Sequence, residues 1–580
     1  PVISTPPAQR ARREWVFPAL DLPDGFHPGA AELVRRVLWS RREVIGSDLD
    51  AFLQPRRLPV QETRAMKGMA EAVALVAEAI ESGRPLAIFG DYDADGVTAT
   101  ALLQRGLRLA GAKVITYIPH RVNDGYGLNP DGLAELDRQG AALVISCDCG
   151  TNSVEVVAGR PAGQRLVVTD HHLPAAEIAR PDALLNPHQP GCPYPFKDLS
   201  GAGVAFKLLE ALWAGPAFAG RLDPGELDQL TQLVAIGAVA DVVPLLGENR
   251  ALVRQGLAAL DESPLPGVRA LIEVGMMRRP LDSGAIGFQL APRINAAGRM
   301  DDARLALDLL LAETMDDAYP LAEHLERHNQ SRKAATERAL ADVAERLEQE
   351  GVPDSAIVIA DERWPLGLVG LIAGRLVDRH HMPAFVLNRE GDECRGSARS
   401  VHGFNVVDAL TACDGVLTRY GGHEMAAGFS LATANLPALV DGIQAYAEAR
   451  RPDGGWSKRL PADGVVAFDA LTPDAVESLA VLEPFGEGLR APRFCVRDVE
   501  LKAASSFGGD GDHMRLWFAQ GDRMIEAIAW RKGDLVPFYR GAAQKHDRLD
   551  ALFSVEVSRW DGEENVRLEL EDLRRASATG

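Results

Sequence analysis

"PLAIFGDYDADGVTATALLQRGLRLAGAKVITYIPH", residues 85 to 120, decides the fold class. A short apolar run ends on aspartates at i, i+2 and i+4 (Asp91, Asp93, Asp95), a helix-period stretch follows, and a second β-branched run closes the segment. The alternation continues through "PDGLAELDRQG", "ALVISCDCG" and "RLVVTDHH". This is the βαβα pattern of an α/β domain with an open, largely parallel sheet. In such sheets ligands bind outside the carboxyl ends of the strands. The polar residues stand there: the three aspartates after the first run, Asp148 after the next, and Asp170, His171 and His172 after "RLVVT".

Like charges at i, i+2 and i+4 are poor for stability. A helix N-cap accounts for one of the three, not for all. A single Asp at a strand end with Gly soon after, as in "SCDCG", is alone an ordinary turn, and neighbouring histidines in a strand point to opposite faces. The recurrence of carboxylates at adjacent strand ends favours a cation site. Asp and His ligands without Cys suit Mn²⁺ or Mg²⁺ rather than structural zinc, and several carboxylates suit a pair of ions.

A chain of 580 residues, 46% hydrophobic, is expected to form several domains. Its six scattered cysteines predict reduced thiols rather than a disulfide framework. No apolar run of about 18 residues occurs and the opening stretch lacks the apolar region of a signal peptide, so a cytoplasmic protein is expected. The net charge of −20 opposes a generalised polyanion binder. Positive charge must then be local, or cations in an acidic site must offset part of it.

The expected order is an N-terminal segment (1–44), the first α/β domain (45–312), a connecting helix (313–350) free of Pro and Gly from Leu321 to Glu350, a second α/β domain (351–453), and a C-terminal region (454–580). The helix is expected to be largely exposed. Five alternating segments in the last region have the count of a small OB-type β-barrel. Phe507, Trp517, Phe518, Trp530, Phe553 and Trp560 lie in it, most of them expected in its core, because alternation buries one face of every strand, and the rest available for stacking on bases.

"DYDADG", "DCG", "DHH" and "AVADVVPL" resemble, in this order, the four motifs of the DHH phosphoesterase superfamily, and "GSARS" and "GGHEMAAG" resemble its DHHA1 domain. "PHRVNDGYGLN", "NPHQPGCPYPFKDLSGAGVAFKLL", "GENRALVRQGL" and "APRINAAGRMDDA" are similar to the RecJ family within it, single-strand-specific 5′→3′ DNA exonucleases. The resemblance implies two divalent ions, Mn²⁺ or Mg²⁺, held by Asp93, Asp95, Asp148, His172 and Asp241, with Asp95 or Asp148 bridging. It implies an orienting role for Asp91 and a phosphate or leaving-group contact for His171. Substrate contacts fall to Arg293, Asn295 and Arg299, and to Ser397, Arg399, Gly421, Gly422 and His423 in the DHHA1 region. Single-stranded DNA is the expected partner of a monomer, with single-strand DNA-binding protein and repair helicases as further candidates. Departures from the family pattern stand at Pro365, where His is frequent, and at Leu489, where Asn is usual. A phosphodiesterase of short oligonucleotides or cyclic dinucleotides would share the metal chemistry, and a non-catalytic DNA-binding scaffold would be expected to lack ligands.

Overall fold

The computed structural model describes residues 12–19, 21–121, 123–220, 222–560 and 563–576, without the side chains of Arg12 and Trp560. The chain forms two compact units, each built from separated segments. One comprises Asp50–Arg338 with Pro484–Arg490, the other Pro1–Leu49, Ala339–Glu483 and Ala491–Gly580.

The first unit carries a five-stranded parallel sheet of β1 (Leu86–Phe89), β2 (Val114–Tyr117), β3 (Leu143–Cys147), β4 (Arg165–Thr169) and β5 (Ala183–Leu185), in the order β2-β1-β3-β4-β5. β1 and β3 are buried at every position, which explains why they read as continuous apolar runs and not as alternation. Helices α1 (Ala94–Leu109), α2 (Gly201–Trp213) and α3 (Thr231–Ala240) share one large apolar core with one face of the sheet. Near the end of this unit lies α4 (Ala291–Met300), preceded by a π-helical turn, Ile286–Leu290.

The expected connecting helix is a single element, α5 (Met315–Glu350, 36 residues), with Pro320 near its start. Exposure holds for one side only, because Ala318, Ala322, Leu325 and Asn329, spaced by three or four, are fully buried.

In the second unit a mixed sheet runs β9-β10-β8-β7-β6, from β6 (Ile357–Asp361), β7 (Ala384–Glu390), β8 (Glu393–Arg399), β9 (Arg419–His423) and β10 (Ala426–Ala432). Helix α6 (Leu366–His380) packs on it, with Pro365 as its N-cap residue. The C-terminal barrel is closed, as expected, by β11 (Phe494–Phe507), β12 (His513–Gln520), β13 (Arg523–Ala529), β15 (Glu563–Arg575) and β14 (Arg548–Trp560), in that order. Phe518 and Phe553 are fully buried in it. Phe507, His513 and the half-exposed Trp530 form an edge-on cluster instead.

Candidate metal centre

The strand order reverses at the gap between β1 and β3, and there the loops after these strands bring their carboxylates together. The register pairs Phe89 with Ser146 and Cys147 with Thr169, so the strand ends stand almost level.

Asp93 is the N-cap of α1, accepting hydrogen bonds from the Asp95 and Gly96 N–H groups at 3.0 Å. Asp95, inside the first turn, accepts from Gly201 N–H at 2.6 Å and Ala202 N–H at 3.0 Å, the first residues of α2. The positive end of that helix therefore faces its carboxylate. Asp148 follows β3 in a left-handed conformation, φ +62°. Asp241 is the C-cap residue of α3.

His171 sits among them. Its Nε2 lies 3.1 Å from Asp148 Oδ1, 3.4 Å from Asp241 Oδ2 and 4.0 Å from Asp95 Oδ2. His172 stands nearer the rim, its Nδ1 2.8 Å from Asp170 Oδ1 and 3.9 Å from Asp148 Oδ1. The Tyr126 hydroxyl donates to the Asp148 carbonyl and lies 3.1 Å from His172 Nδ1. Asp91, 1% exposed, joins Asp93 and Asp148 in a third group of closely spaced ligand atoms.

Room for this crowding comes from glycines. A Cβ on Gly201 would lie 2.6 Å from Asp148 Oδ1, one on Gly237 2.3 Å from Asp95 Oδ1, and one on Gly96 2.5 Å from the Asp91 Cβ. Each buried carboxylate thus fills space that any other residue on a neighbouring helix would occupy.

The electrostatics are those of a site short of positive charge. Burial, then Asp93, pushes Asp95 up to about 7, and burial, then Asp95, pushes Asp241 up to about 8. Burial and the neighbouring aspartates also raise Asp91 and Asp148 well above the usual carboxylate range. Burial, with the nearby His172, holds His171 neutral, down to about 4. For His172 burial acts in the opposite direction but loses to the Asp170 hydrogen bond and charge, which raise it to about 9. Asp148 Oδ1, Asp91 Oδ1 and His171 Nε2 are buried without a hydrogen-bond partner. Oxygen-rich donors, one neutral imidazole and orphaned acceptors fit hard divalent cations of the Mn²⁺ and Mg²⁺ kind.

Of the substrate-contact candidates in this unit, Asn295 is at the site: its Oδ1 accepts from the Ala94 N–H at the start of α1, at 2.9 Å. Arg299 bears electrostatically on Tyr92, beside the same loop. Arg293 is turned into the fold, with Nε 2.6 Å from Glu326 Oε2 and Nη1 donating to the Gln289 carbonyl. In the second unit, the register aligns Ser397 with Gly428 and Gly421, and Arg399 with Ala426 and His423. Ser397, Arg399, Gly421 and His423 therefore share one sheet face, and Gly422 lies on the other. A Cβ on Gly370 in the first turns of α6 would stand 3.1 Å from an Arg399 Nη and 3.3 Å from Ser397 Oγ, so the helix N-terminus lies over this face.

Asp170 was legible as a polar residue at a strand end but not as the partner of His172. Gly201, Gly237 and Tyr126 were not legible as site residues, because each acts through a partner distant in sequence, although "SGAG" and "GYG" lie in the segments that resemble the family.

Three family descriptions match the chain in order: DHH family, N-terminal domain (85–238), DHHA1 domain (353–449) and RecJ OB domain (462–572). The single-stranded-DNA-specific exonuclease RecJ of Bacillus subtilis is 33% identical over 90% of this chain, which spans 65% of that relative's length. RecJ of Dickeya dadantii is 37% identical, with 88% of this chain and 91% of the relative covered. The crystal structure of Thermus thermophilus RecJ in complex with Mn²⁺ superposes with a TM-score of 0.81 at 30% identity, covering 98% of this chain and 80% of that one. The Mg²⁺ complex of the same protein gives 0.74 at 29% identity, with 98% and 79% covered. With the three domains in order, an intact cluster of acidic and imidazole groups, and similarity along nearly its whole length, the chain belongs to the RecJ family of the DHH superfamily.

Proposed function

We propose that this chain is a metal-dependent exonuclease that hydrolyses single-stranded DNA from the 5′ end, releases 5′-mononucleotides and acts in DNA repair and recombination. The observation that carries the reading is the convergence of the buried Asp95 and Asp148 with Asp241 and His171, with unpartnered ligand atoms and carboxylates raised toward neutrality. Two Mn²⁺ or Mg²⁺ ions, when bound, supply Lewis-acid activation of the attacking water and neutralise the leaving 3′-oxygen.

Asp93, Asp95, Asp148 and Asp241 would hold the ions. Geometry favours exchanging the two histidines relative to the sequence expectation. His171, neutral and central, is the ligand. His172, charged by Asp170 and closer to the rim, meets the scissile phosphate. Asp91 keeps the loop and Asp93 oriented from behind. Asn295 fixes the first turn of α1 and thereby the Asp93 and Asp95 positions. Ser397, Arg399 and His423, under the N-terminus of α6, hold the 5′-terminal group, and Gly421 leaves that face open. Phe507, His513 and Trp530 offer a stacking surface for bases. Single-strand DNA-binding protein and repair helicases as partners, a monomeric state and a cytoplasmic location complete the proposal.

The test is a 5′-labelled long single strand, its duplex and a dinucleotide, each incubated with Mn²⁺ and with EDTA. Mononucleotide release from the single strand with Mn²⁺, none with EDTA and little from the duplex is expected. Digestion from the 3′ end, or equal cleavage of the duplex, would reject the assignment.

A further inference from the structure

A second cluster of metal-competent side chains lies in the first unit and shares no residue with the catalytic carboxylates. It consists of Asp301, His324 and His328, whose ligand atoms all lie within 4.8 Å of one another. The two histidines are at i and i+4 on α5, on the same side of the helix, with rings stacked at 4.6 Å between centroids and 25° between planes. The His328 Nε2 is buried and has no hydrogen-bond partner. Asp301, which ends α4, has its Oδ2 3.7 Å from that nitrogen, too far for a hydrogen bond. Its neighbour Asp302 is engaged with Arg304 and is not competing for the position. The Asp301 side chain is 60% exposed, so the cluster opens to solvent on the carboxylate side.

We propose that Asp301, His324 and His328 form a second divalent-metal site, selective for zinc-class ions, that ties the end of α4 to α5. Two imidazoles spaced by one helical turn are a natural bidentate pair, and a carboxylate as third ligand leaves a tetrahedral ion one position for water. A tetrahedral ion with bonds of about 2.0–2.1 Å brings its donors to roughly 3.3–3.5 Å apart, which side-chain rotation reaches from the present spacing. Imidazole favours Zn²⁺, Ni²⁺ and Cu²⁺ over Mg²⁺ and Mn²⁺, so this site and the carboxylate-rich catalytic one sort different ions.

The ordinary alternative is a stacked histidine pair packed between helices. That arrangement leaves the buried His328 nitrogen unsatisfied. An ion gives it the missing partner. The first turn of α4 is already joined to α5 by the Arg293–Glu326 pair, and the ion would join them again at the end of α4. Because α4 carries Asn295, which holds the Ala94 N–H, the ion would steady the helix that braces the catalytic loop.

The test measures Zn²⁺ bound per full-length chain by equilibrium dialysis in excess Mg²⁺, for wild type, Asp148→Ala and the double variant His324→Gln/His328→Gln. The double variant should bind one Zn²⁺ fewer than wild type. Asp148→Ala should keep the tight Zn²⁺ that the double variant lacks. Co²⁺ loaded into Asp148→Ala should give a visible band of a nitrogen-ligated ion that disappears when the two histidines are also replaced. Circular dichroism checks that the variants fold, and Asp301→Asn, which leaves α5 untouched, should weaken Zn²⁺ binding about tenfold or more. Equal Zn²⁺ stoichiometry in wild type and the double variant, or unchanged affinity in Asp301→Asn, would overturn the proposal. Neither outcome depends on whether the chain cleaves DNA.

Discussion

His171 and His172 are neighbours in the chain with opposite electrostatics. Burial keeps one neutral among carboxylates, while Asp170 holds the other protonated. The roles proposed for them predict different defects. His171→Ala removes a metal ligand and should lower cleavage about 10³-fold or more, with apparent Mn²⁺ affinity weakened. His172→Ala should leave Mn²⁺ affinity within about threefold and lower kcat by roughly 10²-fold, the scale of one lost charge-assisted contact in the transition state. Titrating activity against Mn²⁺ separates the two, and a reversed pattern would restore the roles first read from sequence. The raised carboxylates predict a pH effect. Asp95 and Asp241, at about 7 and about 8 in the folded chain, bind protons there that the unfolded chain has already released. The metal-free protein should therefore lose stability as pH rises from about 6 to 8.5, since the folded state holds more protons in that window. Saturating Mn²⁺, which keeps these groups ionised, should flatten the slope of thermal midpoint against pH, and an unchanged slope would contradict the assignment. Asp91, Asp93, Asp95 and Asp148 were legible because like charges recur at successive strand ends. The pairing of Asp170 with His172 and the contact of Tyr126 were not, since the sequence places Asp170 at a strand end without saying which histidine it holds, and a single Tyr126 has no signal of its own.

Elements were read more easily where a period of 2 or 3.6 survives burial, or where a short apolar run is bounded by turn residues as in the fully buried parallel strands. The parallel strands, the long helix and the five barrel segments emerged in order, and the π-helical turn before α4 did not, because its five residues carry no distinctive pattern. Cross-strand register was also invisible. Only the pairing of β8, β10 and β9 shows that Ser397, Arg399 and His423 share a face while Gly422 points away. On that face Arg399, beside Ser397 and the first turns of α6, is the side chain proposed to hold the 5′ group. Arg399→Ala should lower cleavage of 5′-phosphorylated strands about tenfold or more, with less effect on 5′-hydroxyl strands and none on Mn²⁺ affinity. Equal losses on both substrates, measured under single-turnover conditions, would show that this face does not read the end group. The departure at Leu489 also gains a physical reason at this scale. The side chain is buried, 1% exposed, in the segment Pro484–Arg490. That segment joins the first unit through Leu245 N–H donating to the Glu487 carbonyl and the buried Arg250 donating to the Pro484 carbonyl.

At the scale of the whole chain, each unit is held by contacts between residues far apart in sequence. Strand Arg12–Val16 pairs in parallel with Ser457–Pro461, and Arg13 and Trp15 both reach Asp572. Arg41 makes a two-pronged pair with Asp463 at 2.8 and 2.7 Å, with side chains only 8% and 0% exposed. Removing one partner of such a pair leaves a buried charge. Asp463→Ala should therefore cost about 3–5 kcal/mol of stability in this unit by denaturant unfolding. A change under about 1 kcal/mol would show that the pair is solvated in solution. Pairings across more than 400 positions leave no trace in a single sequence, whereas the −20 net charge was compatible with an acidic site that needs cations. The central claim is that the buried carboxylates and His171 hold two ions. It is tested most directly by an anomalous difference map from crystals of the full chain soaked in Mn²⁺. Two peaks are expected among Asp93, Asp95, Asp148, Asp241 and His171, both missing in Asp148→Ala. A single peak, or peaks that survive that substitution in full, would contradict the account.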